Sequence, residues 1–177
     1  MNSRILQEYK DINHYPLSNC GLTIGLFNEN DPTKWRVCIT GPLDTPYKGG
    51  VFYLSVEFPP KYPEVPPEIC FLTPIYHVNV NPRKPTSIGQ EPLGHVSLST
   101  LNWWKKEYKM REVLSHIFIF FYIGNPDSPY GLERAEEMRN NRELFEKKVK
   151  YFTKKYANPM DGLKYCGKDK DWNFNLP

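Results

Sequence analysis

The 177-residue sequence predicts an α+β fold, strands first and helices after, on three observations. Apolar residues alternate with period two from Val51 to Phe58. Clusters of turn-forming residues set that run close to its neighbours in the chain. From Met110 onward the apolar spacing becomes that of a helix.

The first element is a short helix. After Ser3, a cap-forming residue, Ile5, Tyr9 and Ile12 recur at i, i+4 and i+7 until Pro16 stops the run, and Arg4, Glu8 and Lys10 fall on its outer face. Four strand candidates follow, at Leu22 to Phe27, Trp35 to Thr40, Val51 to Phe58 and Glu68 to Leu72. In the third, Phe52, Leu54, Val56 and Phe58 share one side and Tyr53, Ser55 and Glu57 the other, so one sheet face is buried. Turns are expected at Asn28 to Pro32, at Thr45 to Gly50 and through the proline-rich Pro59 to Pro63, and connections this short imply an antiparallel meander.

Thr73 to Lys109 shows no period and reads as a long loop, of the kind that carries function inside a compact domain. Met110, Val113, Leu114, Ile117, Phe118 and Phe121 mark a central helix whose apolar face the sheet covers. Asn125-Pro126-Asp127-Ser128-Pro129 breaks it. A further helix is expected over Leu132 to Arg139, then a last one capped by Asn140 with Glu143 and buried along Phe145, Val149, Phe152 and Tyr156. Residues 1–157 thus read as one domain and 158–177 as a tail, with Trp172 and Phe174 as the residues that would dock it.

Composition narrows the function. A content of 40% hydrophobic and 15% aromatic residues supplies one core, and 24% charged residues an ordinary exterior. The net charge of +3, without arginine-aromatic interleaving, argues against nucleic acid. Cys20, Cys38, Cys70 and Cys166 form no close pairs, so no zinc site, metal or redox motif is expected; Cys38 and Cys70 sit in apolar runs and read as small buried hydrophobes. Free thiols, a polar start at Met1-Asn2-Ser3-Arg4 and no apolar stretch near ~18 residues point to the cytosol or nucleus, with no membrane.

The run Gly41-Pro42-Leu43-Asp44-Thr45-Pro46-Tyr47-Lys48-Gly49-Gly50-Val51-Phe52 closely resembles the ubiquitin-conjugating enzymes. So do Phe58-Pro59-Pro60-Lys61-Tyr62-Pro63 with Pro66-Pro67, Ile75-Tyr76-His77-Val78-Asn79, Gly94-His95-Val96-Ser97-Leu98, Trp104 and Asn125 to Pro129, in that order. The resemblance runs from about Ser3 to Ala157. It implies the UBC fold, with an amino-terminal helix, four antiparallel strands and three further helices, in agreement with the order read above.

It also implies a function. Members accept ubiquitin or a ubiquitin-like protein from an activating enzyme as a thioester and pass it to a substrate lysine, usually with a ligase, and need no cofactor. Ser97 stands where the family carries its cysteine nucleophile. A thiol, with a pKa of about 8.5, is a few per cent thiolate near neutrality and forms an ester that amines attack. A serine hydroxyl titrates far higher, His95 two residues away makes no Ser-His pair evident, and no Gly-x-Ser-x-Gly elbow exists. Two readings stay open: a conjugating scaffold whose cysteine has been replaced, or a natural non-catalytic variant that binds ubiquitin or a partner. By resemblance Asn79 is the oxyanion donor, or a loop-bracing amide; Ser128 is the lysine gate; and His77 supports the turn that holds Asn79. Val78 replaces the family's proline, and roughly ten extra residues, loop 82–93, sit between Asn81 and Gly94 beside the active position.

The resemblance places the activating-enzyme and ligase surfaces on the first helix, with Arg4 and Lys10, and on two loops bearing Pro63-Glu64 and Trp104 to Glu107. Glu64 and Glu107 stand where many members are apolar, so common ligases are expected to fit poorly unless they bring basic partners.

Overall fold

The computed structural model, which describes residues 3–161, 163–164, 166–167 and 172–177, has helix α1 (Ser3–His14) followed by strands β1 (Leu22–Asn28), β2 (Asp31–Thr40), β3 (Val51–Glu57) and β4 (Glu68–Phe71). After a long connection come the one-turn helix α2 (Ser99–Asn102) and helices α3 (Met110–Phe120), α4 (Leu132–Asn140) and α5 (Arg142–Tyr156). The sheet order is β1-β2-β3-β4, antiparallel throughout, which is the expected meander.

Register explains the core. Val37 pairs with Ile24 on one side and Leu54 on the other, and Leu54 pairs with Phe71. Alternate residues Trp35, Val37 and Ile39 of β2 and Phe52, Leu54 and Val56 of β3 are fully buried. Met110, Val113, Leu114 and Ile117 of α3 belong to the same apolar cluster. Each side chain of this size contributes about 1.5–3 kcal/mol on burial.

Several local expectations shift by a few residues, each for a visible reason. Asn28 pairs with Asp31, so the first turn narrows to Glu29-Asn30 and Pro32 enters the strand. It costs no pairing with β3, which begins at Lys34. The cap of α5 is Asn141, not Asn140, its side chain accepting from the Leu144 N–H at 3.2 Å. Phe120 and Phe121, three and four residues past Ile117, are buried, whereas Phe118 is only half-buried against Tyr122. Cys70 is fully buried but Cys38 only half.

The larger correction concerns α1. Glu8, placed on the outer face by periodicity, is 7% exposed. Its carboxylate accepts from the Met110 N–H at 2.6 Å, from the Tyr62 hydroxyl at 2.8 Å and from Arg4 Nε at 2.7 Å. A carboxylate against the unsatisfied first N–H groups of α3 is favoured by the helix dipole, and this offsets its desolvation. Arg4 also donates to the Tyr108 carbonyl at 2.6 Å, so it is an internal tie rather than a free surface charge.

Part of the segment read as a loop is interior. Ile75 to Val80, Leu93 and Val96 are all buried, and Trp172 and Phe174 of the tail pack against the core as well. Phe174 packs edge-on to Phe152 and Tyr76, and Tyr156 donates its hydroxyl to the Asn173 carbonyl. Among the described residues no helix is long and apolar enough to cross a membrane, and no cluster of metal-ligating side chains occurs.

Candidate active site

Position 97 is held by a short strand-like segment, Gly94 to Val96, lying between β4 and residues 79–81. Cys70 bridges to His95, and Val80 to Val96. The Val96 N–H donates to the Ile69 carbonyl at 3.1 Å and the Ser97 N–H to the Asn79 carbonyl at 2.9 Å, so Ser97 and Asn79 sit side by side. Gly94 makes this possible: its φ is +80°, and a Cβ there would come within 2.1 Å of the Phe71 carbonyl oxygen. Ser97 is half-buried.

The Asn79 side chain points to the other flank. Its Nδ2 donates to the Asn125 carbonyl at 2.8 Å and the Ser128 carbonyl at 2.9 Å, and its Oδ1 accepts from the Asn125 N–H at 2.7 Å. All three bonds go to residues 125–128, so this amide joins position 97, through its own backbone, to the segment bearing Ser128. Ser128 itself is exposed.

His77 secures the turn from inside. Its Nδ1 accepts from the Asn79 N–H at 3.0 Å, and its Nε2 therefore carries the proton donated to the Phe120 carbonyl at 2.9 Å. The ring stacks on Phe120 with centroids 3.8 Å apart. Burial pushes its pKa down from 6.5 to about 3. Because the folded ring stays neutral where the unfolded one charges, its contribution is complete above pH 6.5 and is lost at roughly 1.4 kcal/mol per pH unit as pH falls towards 3. Between pH 7 and 5 the wild type is expected to lose about 2 kcal/mol more stability than His77→Gln, as read from urea midpoints. Equal losses in the two proteins would contradict this protonation state.

Arg134, which the sequence did not single out, braces the same turn. It is buried, donates Nη1 to the His77 carbonyl at 3.0 Å, and lies over the rings of Tyr76 at 4.4 Å and Phe174 at 4.7 Å. No periodic pattern could flag it, since an arginine on a short polar helix reads as surface. Asn102 was missed for a similar reason. It lies on α2, within what read as loop, and donates Nδ2 to Ser97 Oγ at 3.2 Å.

His95 is committed to partners other than Ser97. Its Nδ1 lies 2.6 Å from the Tyr130 hydroxyl and its Nε2 3.3 Å from Glu91. Burial raises the Tyr130 hydroxyl to about 12, so it stays protonated. The extra loop is pinched at its base, where Asn81 donates Nδ2 to the Glu91 and Pro92 carbonyls at 2.8 and 2.9 Å. Residues 83–91 are exposed, and the loop's root, Pro82-Arg83, lines a cleft with Tyr130, Arg134 and Trp172 to Asn175.

The residues expected on partner surfaces gather in part. The Pro63 carbonyl accepts from Trp104 Nε1 at 2.7 Å, and Lys106 pairs with exposed Glu64 at 3.5 Å, tying the two loops together. Arg4 reaches the same loop at Tyr108, while Glu107 is exposed beside it. Lys10 is exposed further along α1.

Comparison with known proteins agrees with the fold. A family model described as ubiquitin-conjugating enzyme matches residues 4–153. The probable ubiquitin-conjugating enzyme E2 31 of Arabidopsis thaliana is 36% identical over 132 residues, 74% of this chain and 79% of that protein. The solved E2 domain of a Toxoplasma gondii ubiquitin conjugating enzyme superposes with a TM-score of 0.72 at 31% identity, covering 89% of this chain and 99% of that one.

Proposed function

Since this chain belongs to the ubiquitin-conjugating enzyme family, we propose that it is a conjugating scaffold that receives ubiquitin or a ubiquitin-like protein at position 97 and delivers it to a substrate lysine. The observation that carries this reading is the pairing of Ser97 with Asn79, which sets the acceptor position against the Asn79-braced segment 125–128.

In the first step the group at position 97 attacks the carbonyl of the activating enzyme's thioester, loses its proton, and that enzyme's thiolate leaves. In the second, a lysine amine attacks the new ester, forms an isopeptide bond and returns the acceptor group. Ser128, at the flank held by Asn79, is the residue we place beside the incoming lysine. The Asn79 amide serves first as a brace for that flank; to meet a developing oxyanion it must release the Asn125 or Ser128 carbonyl. The groove that starts at Leu98 and Ser99 and is walled by exposed Trp103, Ile119 and Ile123 supports a macromolecular cargo beside position 97. The tied loops at Pro63-Glu64 and Lys106-Glu107, with α1, are the proposed ligase side, and the cytosol or nucleus the proposed compartment.

A specific observation favours a second reading, a non-catalytic variant that binds ubiquitin or a partner. Among the described residues, Ser97 Oγ is met by an amide donor and by no base, and His95 is engaged by Tyr130 and Glu91. One experiment separates the two. The wild type and Ser97→Cys are incubated with activating enzyme, ubiquitin and ATP, then treated with thiol reductant. The expected result is a reductant-sensitive adduct in Ser97→Cys alone, the wild type giving at most a slow, reductant-resistant oxygen ester. Absence of an adduct in both, with folding intact, overturns the conjugating scaffold and favours the binding variant instead.

A further inference from the structure

With the Asn79 amide spent on residues 125–128, a different amide meets the reacting atom. Among the described residues, the side-chain donor on Ser97 Oγ is Asn102 Nδ2, at 3.2 Å. We infer that Asn102 is a catalytic residue of this site, whose N–H holds negative charge on the acceptor atom at position 97. The assignment deepens the proposed function and rests on it for the identity of the acyl group, though not for the ionisation itself.

The geometry is built into the backbone. Helix α2 is a single tight turn: the Leu101 and Asn102 N–H groups both donate to the Leu98 carbonyl at 2.9 Å, and the Trp103 N–H to the Ser99 carbonyl at 2.9 Å. Winding the chain this closely after Ser97 brings residue 102 back over it. The segments on both sides of the contact are tied. The Ser97 backbone is tied to Asn79, and α2 is pinned to α3 by Thr100 Oγ1, 2.7 Å from His116 Nδ1. A donor held in place before charge develops needs no reorganisation when it does.

The chemistry follows from what an amide can do. A carboxamide N–H donates and does not take up a proton at these pH values, so Asn102 is no general base. The proton of the acceptor group leaves to solvent, and the remaining anion is favoured by the hydrogen bond it accepts. For a serine hydroxyl, which titrates far above neutrality, this help leaves the anion scarce. For a thiol near 8.5 the same help brings a useful fraction of thiolate within reach at pH 7. Ser97 therefore sits in a site whose donor would suit a thiol better than the hydroxyl it holds.

The test uses the full chain and no ubiquitin. Ser97→Cys is compared with the double variants that add Asn102→Ala or Asn102→Asp. Each is treated with iodoacetamide between pH 6 and 10, and alkylation at position 97, where the thiolate displaces iodide and forms a carbon–sulfur bond, is followed by site-resolved mass spectrometry. Asn102→Ala is expected to raise the titration midpoint at position 97 by about 0.5–1 pH unit and to slow alkylation at pH 7 about three- to tenfold, the modest size reflecting a solvent-facing bond. Asn102→Asp should raise it further, because it removes the donor and adds like charge. Cys70, fully buried, stays unmodified while the fold is intact. Identical titrations in all three proteins, with Cys70 protected, overturn the assignment. If the alanine variant exposes Cys70, Asn102→Leu in the same background, close in shape and carrying neither donor nor charge, decides by the same criterion. A Ser97→Cys protein that fails to accept ubiquitin yet shows the shift removes the proposed function and leaves the role of Asn102 standing.

Discussion

Replacing Asn79 by alanine in the Ser97→Cys background is expected to slow transfer of ubiquitin to lysine about 100-fold and to lower stability by about 2–4 kcal/mol. Three hydrogen bonds disappear together, those to the Asn125 and Ser128 carbonyls and from the Asn125 N–H. Each is worth about 0.5–1.5 kcal/mol net, and partly buried groups left without partners cost more. The segment bearing Ser128 then loses its tie to the strand-like residues beside position 97. A displacement on the order of 1 Å near a reacting centre is enough for a loss of this size. Transfer rates and urea midpoints, measured on the same samples, read the two effects side by side. A fall in transfer with unchanged stability would show instead that the amide acts only in the transition state, as a pure oxyanion donor.

The second large effect lies far from the site. Glu8→Ala should destabilise the protein by about 3–6 kcal/mol, because it removes charge-assisted hydrogen bonds from two buried donors, each worth about 1.5–3 kcal/mol. The Tyr62 hydroxyl, the Met110 N–H and Arg4 all lose the same carboxylate. The first two are buried and find no water to replace it. Glu8→Gln keeps an acceptor oxygen of nearly the same shape and should cost about half as much, which isolates the charge from the packing. Equilibrium urea unfolding of the three proteins measures this, and a loss under 1 kcal/mol for the alanine variant would return Glu8 to the surface role its spacing suggested.

That contrast shows where reading along the chain succeeds and where it stops. The alternation from Val51 to Phe58 matches β3, and the apolar spacing after Met110 matches α3, because both patterns report a neighbour's face through spacing alone. Turn chemistry located the connections between strands to within a few residues. Glu8 was misplaced because a carboxylate on a helix normally seeks water, and only a partner 102 residues away, the first N–H of α3, reverses that preference. Arg134 was missed on the same ground, its acceptor lying 57 residues away at the His77 carbonyl.

The order of Asn79, Ser97 and Ser128, on which the proposal of position 97 as the acceptor rests, was legible in the sequence itself, since ordered motifs are a property of the chain. Which amide touches Ser97 Oγ was decided only in three dimensions. Asn79 and Asn102 carry the same functional group, and a sequence does not say where either points. The segment 125–128 draws the first amide away with two carbonyls and an N–H, while one turn of helix swings the second over Ser97. Hydrogen bonds are directional and short, so that choice depends on backbone positions known to a few tenths of an ångström, which hydrophobic spacing along a chain does not encode.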